Sequence, residues 1–258
     1  MTLDVRWVTA FIDVGYDDFD TAVAFWSTVT GTTPSPRRGA RGQFTTLERV
    51  AGDASLRVQG LDGVPRVHLD LHVASLDEAQ QQAERLGATL IDDPGHRIMR
   101  SPGGIVFCFV GDHGERDPGP LIDDPMPHNV DQVCLDVPAQ HFEAEVAFWA
   151  ELLGWPGRPS ATFAEFARLR GGDELAFTFL LQRLGADDRR TEGVVHLDIS
   201  CGEHRLEVVE QHVRLGAVVV DTGAEWTVMQ GPAGQIYCLT NRPPTTRPTL
   251  AGGVTPGA

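Results

Sequence analysis

The chain repeats itself, and that duplication limits what it can fold into more than any single motif does. Asp13-Val14 leads to Ala24-Phe25-Trp26 and Gly31, and Asp136-Val137 leads to Ala147-Phe148-Trp149 and Gly154, at an offset of 123 residues. His68-Leu69-Asp70 recurs as His196-Leu197-Asp198 at an offset of 128. Leu86-Gly87-Ala88 recurs as Leu215-Gly216-Ala217 at 129, and the stretch from Gly104 to Cys108 matches Gly234 to Cys238 at 130. A slowly growing offset marks a tandem duplication with small loop insertions, here of a unit of roughly 110 residues, an ordinary domain size. Two domains are expected, over 1–113 and 128–242, with a Pro-, Gly- and Asp-rich linker over 114–127 and a flexible tail over 243–258.

Each copy reads as the same string of elements. Val67-His68-Leu69-Asp70-Leu71-His72-Val73 alternates apolar and polar residues, the period of a strand with one greasy and one polar face, and 195–201 does nearly the same. Trp7 to Val14 predicts another strand, with Thr9, Phe11 and Asp13 on one face. Phe19, Ala22, Val23, Phe25 and Trp26 give residues 18–29 the apolar stripe of a helix. Short strands are predicted over 45–47 and 56–59. A second helix spans 77–86, with Ser75 or Asp77 to cap it and Gly87 to end it. Strands over 89–92, 96–100 and 105–110 follow, the last two joined by a Pro102-Gly103-Gly104 turn. The order β-α-β-β-β thus occurs twice per copy, which predicts an α+β fold with helices on the outer face of a curled, mainly antiparallel sheet.

Composition removes several function classes. Thirty-six acidic residues against 21 basic ones leave a formal charge of −15, which weighs against a nucleic-acid or anionic-membrane partner. Every basic residue is Arg, so no Schiff-base lysine is available. The four cysteines form no C-x-x-C pair, and each sits in a strand-like context where a thiol behaves as a small buried hydrophobe. No apolar run reaches membrane-spanning length and the first residues lack a signal-peptide pattern, so a cytoplasmic protein is expected. No G-x-S-x-G nucleophile motif occurs. Gly103-Gly104 and Ala233-Gly234 read as hairpin turns, because no helix follows them to hold a phosphate. Arg37, Arg38 and Arg41 read as solvated loop charges.

Leu135-Asp136-Val137, Phe148-Trp149, Leu153-Gly154-Trp155, His196-Leu197-Asp198 and Leu215-Gly216-Ala217 follow one another in a specific order. Trp226-Thr227-Val228-Met229, Gly231-Pro232-Ala233-Gly234 and Tyr237-Cys238-Leu239 complete it. In order, spacing and duplication this resembles the vicinal oxygen chelate superfamily, the glyoxalase and bleomycin-resistance fold, and within it the glyoxalase-like domain branch. The resemblance implies paired βαβββ modules that cup one cavity in each domain. It also implies that metal-using relatives draw ligands from the first strand of each module and a Glu in the last strand. An open metal face then chelates two adjacent substrate oxygens. At those positions this chain carries Thr9 and Gln132 in the first modules and His68 and His196 in the second. Cys108 and Cys238 stand where the Glu belongs, and Gln59 and Gln182 are the polar residues near the last strands of the first modules. The best metal set, Gln132, His196 and Cys238, falls short in ligand type and number.

On a period-2 strand His68, Asp70 and His72 share one face, as do His196, Asp198 and Ser200. As structure, these histidines are hydrogen-bonded parts of the scaffold. As function, an Asp two residues away orients each His and raises its pKa, making an acid–base pair in each cup. The ligand-binding candidates are His68, Asp70 and His72 in the first copy and Gln132, Cys134, His196, Asp198 and Trp226 in the second. Trp226 opens a strand at the rim, where it would stack a flat ligand. Phe25, Trp26, Phe148 and Trp149 have helical spacing and belong to the core. Because Gln132, His196 and Trp226 occur together, the better pocket is expected in the second copy. The expected function is binding of a small organic molecule in a cupped cavity, without a catalytic metal or other cofactor, in the manner of resistance proteins. The alternatives are a divalent-metal-dependent lyase, isomerase or dioxygenase with an atypical ligand set, and a non-catalytic structural pair. A monomer or a homodimer fits a tandem chain.

Overall fold

The computed structural model describes residues 3–112, 128–169, 171 and 175–244, so the expected linker and nearly all of the expected tail lie outside the described residues. In the first copy the order is β1 (Val5–Val14), α1 (Phe19–Thr30), β2 (Thr33–Pro34), β3 (Phe44–Glu48), β4 (Leu56–Gly60), β5 (Arg66–Val73), α2 (Leu76–Arg85), β6 (Thr89–Asp92), β7 (Arg97–Arg100) and β8 (Val106–Gly111). The second copy repeats it as β9 (Asn129–Val137), α3 (Phe142–Leu153), β10 (Gly157–Pro159), β11 (Phe166–Leu169), β12 (Thr178–Arg183), β13 (Val194–Ser200), α4 (Arg205–Arg214), β14 (Val218–Thr222), β15 (Trp226–Gln230) and β16 (Ile236–Thr240). The βαβββ module therefore occurs four times. The predicted strands fall within a residue or two of their observed ends. The missed ones, β2 and β10, are edge strands of two and three residues that each contain a proline, too short to show a period.

Pairing is the same in both copies. The first sheet runs β2-β3-β4-β1-β5-β8-β7-β6, the second β10-β11-β12-β9-β13-β16-β15-β14. Only β1/β4, β5/β8, β9/β12 and β13/β16 are parallel. The two halves join through an antiparallel pairing of β13 with β5, Val195 opposite Val67, into one continuous sheet.

The helix ends follow from local chemistry. Ser75 Oγ accepts a hydrogen bond from Glu78 N (3.3 Å), an N-cap that starts α2 at Leu76. Gly31 and Gly154 close α1 and α3 in the left-handed conformation, at φ 62° and 68°, where a side chain would be strained.

The outer faces of the helices are crossed between copies. Phe25 and Trp26 of α1 pack on His212 and Tyr237 of the second copy, and Phe148 and Trp149 of α3 pack on Phe107 of the first. All four aromatics are buried, as their helical spacing predicted. Two polar groups are sealed into this seam. Glu145 accepts hydrogen bonds from Gly103 N (2.6 Å) and Trp149 Nε1 (2.8 Å), and His212 Nδ1 lies 2.8 Å from the Tyr237 hydroxyl. No helix among the described residues is long and apolar enough to cross a membrane.

Candidate functional site

Register decides which side chains share a wall. In the second copy His196 pairs with Cys134, Cys134 with Leu180, Leu180 with Arg168 and Arg168 with Arg158. Directly opposed residues lie on one face of a sheet, so these five form a single row across the concave surface. A second row runs from Thr178 through Gln132 and Asp198 to Cys238 and Val228. A third places Asp136 beside Gln182 and Phe166. The first copy has the same layout, with His68 opposite Phe11, Asp70 between Thr9 and Cys108, and Asp13 beside Gln59.

Each histidine lies at the centre of an acidic chain. His68 Nδ1 donates to Asp13 Oδ2 (2.8 Å), which also accepts from Arg66 Nε (3.0 Å), while Asp70 Oδ1 stands 3.6 Å from His68 Nε2. In the second copy His196 Nε2 is 3.4 Å from Asp136 Oδ1 and Nδ1 is 3.2 Å from Asp198 Oδ1; Arg190 Nη1 donates to Asp136 Oδ2 (2.8 Å). The sequence reading made Asp70 and Asp198 the orienting carboxylates. The structure corrects this for the first copy, where the hydrogen bond comes from Asp13 on the neighbouring strand, and adds Asp136 in the second. In the first copy the cross-strand Asp13 is nearer the ring than the same-strand Asp70, 2.8 against 3.6 Å, whereas in the second Asp136 and Asp198 stand at 3.4 and 3.2 Å. Asp13 and Asp136 could have been found, since they are the anchor residues of the duplication itself.

Burial and neighbours set the protonation of the chain. Burial raises the pKa of Asp70 against the pull of His68 and Arg57, so its neutral form is favoured. Burial presses on Asp136 in the same sense, but hydrogen bonds and charge from His196 and Arg190 win and hold it below its usual value. For His196 burial favours the neutral ring, yet the ionised Asp136 beside it outweighs that and raises it well above 6.5. Burial holds the thiols of Cys108, Cys134 and Cys238 protonated, with Asp70 adding to the effect on Cys108. His196 therefore holds its proton more strongly than an ordinary imidazole does.

The remaining candidates divide between the cups. His72 Nε2 is tied to Thr9 Oγ1 (2.9 Å), and Gln132 Nε2 donates to Thr178 Oγ1 (3.2 Å). Phe11 stacks flat on His68, ring centroids 4.8 Å apart, and fills the place that Cys134 leaves smaller in the second cup. Arg37 and Arg41 lie over the rings of Phe19 and Tyr16, and Arg38 donates to Ser35 Oγ (2.7 Å); all three are exposed, the solvated loop charges that the sequence predicts, with local contacts besides.

Trp226 meets two phenylalanines that the sequence reading missed. Its ring lies 6.1 Å from both Phe163, in the loop after β10, and Phe166 on β11, edge to face in each case. β11 and β15 are five strand steps apart, so a flat sheet would separate them by about 24 Å. The sheet has curled until its two walls touch. The polar floor beneath is almost closed to solvent, with His196 7% and Asp198 2% exposed. Beside this bridge, on the β10–β11 side, a cleft of about 570 Å³ is lined by Arg158, Ser160, Thr162, Phe163 and Arg168 among others. It does not include the floor residues.

Three groups of donor atoms lie within 4.8 Å of one another: His68, Asp70 and Cys108; Cys134, Asp136 and His196; and His196, Asp198 and Cys238.

A family model described as a glyoxalase-like domain matches residues 9–110 and again 132–240. The Mn(II)-bound glyoxalase from Novosphingobium aromaticivorans is similar in structure, with a TM-score of 0.61 and 15% identity over 93% of this chain and 82% of that one. So is 2,2',3-trihydroxybiphenyl 1,2-dioxygenase from Sphingomonas wittichii strain RW1, with a TM-score of 0.61 and 15% identity over 92% and 90% of the two chains. The 2,3-dioxygenase LapB from Pseudomonas sp. KL28 also has a TM-score of 0.61, with 14% identity over 96% and 95%. At such identities the likeness is one of fold. No curated protein sequence matches the chain.

Proposed function

This chain belongs to the glyoxalase-like domain family, and on that premise we propose that it binds a small organic molecule in its second cup without a hard divalent cation. One observation carries the reading: the donor set at the family's metal position is the wrong kind. Mn²⁺ and Fe²⁺ favour oxygen and imidazole donors with free lone pairs. Here Cys238 stands in the last strand and both nitrogens of His196 face carboxylates at 3.4 and 3.2 Å, while Gln132, whose Nε2 donates to Thr178, offers only a neutral amide oxygen, a weak ligand. The residues do not fit that metal, and no catalytic step is drawn through it.

What the second cup offers instead is recognition. Phe163, Phe166 and Trp226 supply aromatic surface, and the chain Arg190–Asp136–His196–Asp198 fixes an imidazole donor on the floor. Phe11 occupies the equivalent space in the first cup, which favours the second as the binding half. The first copy then serves as scaffold through the crossed helix packing.

A second reading has one observation in its favour. His196, Asp198 and Cys238 bring nitrogen, oxygen and sulfur together, and Asp198 Oδ1 is buried with no hydrogen-bond donor. Such a mixed set suits a borderline cation such as zinc better than manganese or iron. Native mass spectrometry of the gently purified chain tests the two. The expected result is a small organic adduct that is lost in a Phe163→Ala/Trp226→Ala variant. A bare chain carrying one equivalent of metal would contradict it.

A further inference from the structure

Among the described arginines, Arg158, Arg168 and Arg189 lack the partners that this acidic chain supplies to others, and the first two face each other. Arg183 pairs with Glu143, and Arg190 with Asp136 and Asp188. Arg158 and Arg168, both exposed, make no hydrogen bond or ion pair among the described residues. They also sit directly opposite each other on β10 and β11, where like charges repel and destabilise the strand pair. With 36 acidic residues in the chain, an uncompensated pair of cations on one ladder rung calls for an explanation that folding does not provide.

Their surroundings provide one. Both line the cleft of about 570 Å³, a volume in the range of small-molecule sites. Phe163 lines it too, placed by a turn in which Ser160 Oγ accepts from Thr162 N (3.3 Å) and Phe163 N (3.2 Å). On the far side of the Phe163 loop is the Trp226 contact. The same cross-strand row continues from Arg168, which lines the cleft, through Leu180 and Cys134 to His196.

We propose that Arg158 and Arg168 are the anion end of the second cup's ligand site, and that the molecule bound there is an aromatic oxyanion. Its charged head pairs with the two guanidinium forks and its ring lies against Phe163. Guanidinium presents parallel donors that match a carboxylate or phosphate in a way a diffuse surface charge does not. The inference rests on the small-molecule reading above and names the chemical class of the ligand.

The test is titration of the full chain with benzoate and with its neutral isostere benzamide, followed by tryptophan fluorescence and calorimetry. The same titrations are run on the Arg158→Gln/Arg168→Gln variant. Benzoate is expected to saturate the wild-type protein. Benzamide binding to wild type, and benzoate binding to the variant, should each be about tenfold weaker or more, the loss expected for charge-assisted hydrogen bonds. The variant should unfold at or slightly above the wild-type midpoint, because neither side chain makes a hydrogen bond or ion pair among the described residues and the like-charge rung is relieved. Equal binding of benzoate and benzamide, or full benzoate binding by the variant, would overturn the anion site while leaving small-molecule binding intact. Absence of saturable benzoate binding would also overturn it, and the small-molecule reading would then stand or fall on the adduct in native mass spectra.

Discussion

Asp13 Oδ2 lies 2.8 Å from His68 Nδ1, reaching it diagonally across the β1–β5 pair. The second copy rebuilds the relationship with Asp136 and His196 at 3.4 Å. The arginine that anchors each carboxylate has a different origin. Arg66 belongs to the histidine's own strand, whereas Arg190 comes from the loop before β13. Asp, His and Asp of the chain thus correspond between the copies, and only the arginine is supplied from a non-equivalent position, so the contact to the first carboxylate has been kept by two different routes.

Removing Asp13 should be costly. Its side chain is fully buried and holds both Arg66 and His68. Asp13→Ala is expected to lower the unfolding free energy by about 3 kcal/mol, the cost of leaving a buried pair without one partner. Asp70→Asn should cost less, under about 1 kcal/mol, since burial penalises the Asp70 carboxylate and Asn removes that charge. Urea denaturation of the two variants checks the contrast.

The seam between copies contains a proton-sensitive group on its acid side. Burial, with His128 adding to it, holds the His212 pKa down at about 4 from 6.5. Its contribution to stability is complete above pH 6.5 and drains as pH falls towards 4, because the unfolded state takes up the proton first. The loss amounts to about 3 kcal/mol at 1.36 kcal/mol per unit. His212→Gln should flatten the fall in melting temperature over that window.

Glu145 acts with the opposite sign. Burial raises its pKa despite hydrogen bonds from Ser101, Trp149 and Gly103. Its contribution is full below pH 4.5 and is lost as pH rises through the folded-state value. Glu145→Gln keeps an acceptor without the charge and should match or exceed wild-type stability at pH 7. Glu145→Ala, which strips the acceptor from Gly103 N–H and Trp149 N–H, should cost about 2 kcal/mol. Thermal denaturation at pH 5 and pH 8 separates these outcomes.

The aromatic bridge can be tested through the thiols. All four cysteines are buried, and burial keeps them protonated. Wild-type protein should therefore react slowly with a thiol reagent. Phe163→Ala/Phe166→Ala, which removes one side of the bridge, should speed labelling of Cys238 on the floor and leave Cys108 in the first cup unchanged. Equal acceleration at both would mean general loosening rather than an opened cup.

The duplication, the four modules and the polar inner wall were legible in the sequence because each rests on a local period or a repeated string. Features that depend on register were less so. Asp13 was visible on the face of its strand, but its contact with His68 needs the pairing of two strands about 55 residues apart. The Phe163–Phe166–Trp226 contact needs the curl of an entire sheet, and nothing local to Phe163 announces it. Arg158 and Arg168 are unremarkable as residues and become notable only when β10 and β11 set them opposite each other.

If the second cup is a ligand site whose donors do not suit manganese or iron, the full chain, purified without chelator and then dialysed against Mn²⁺ or Fe²⁺, should retain far less than one equivalent of either metal by elemental analysis, unchanged by His196→Ala. One equivalent of manganese or iron, lost in His196→Ala, would contradict it.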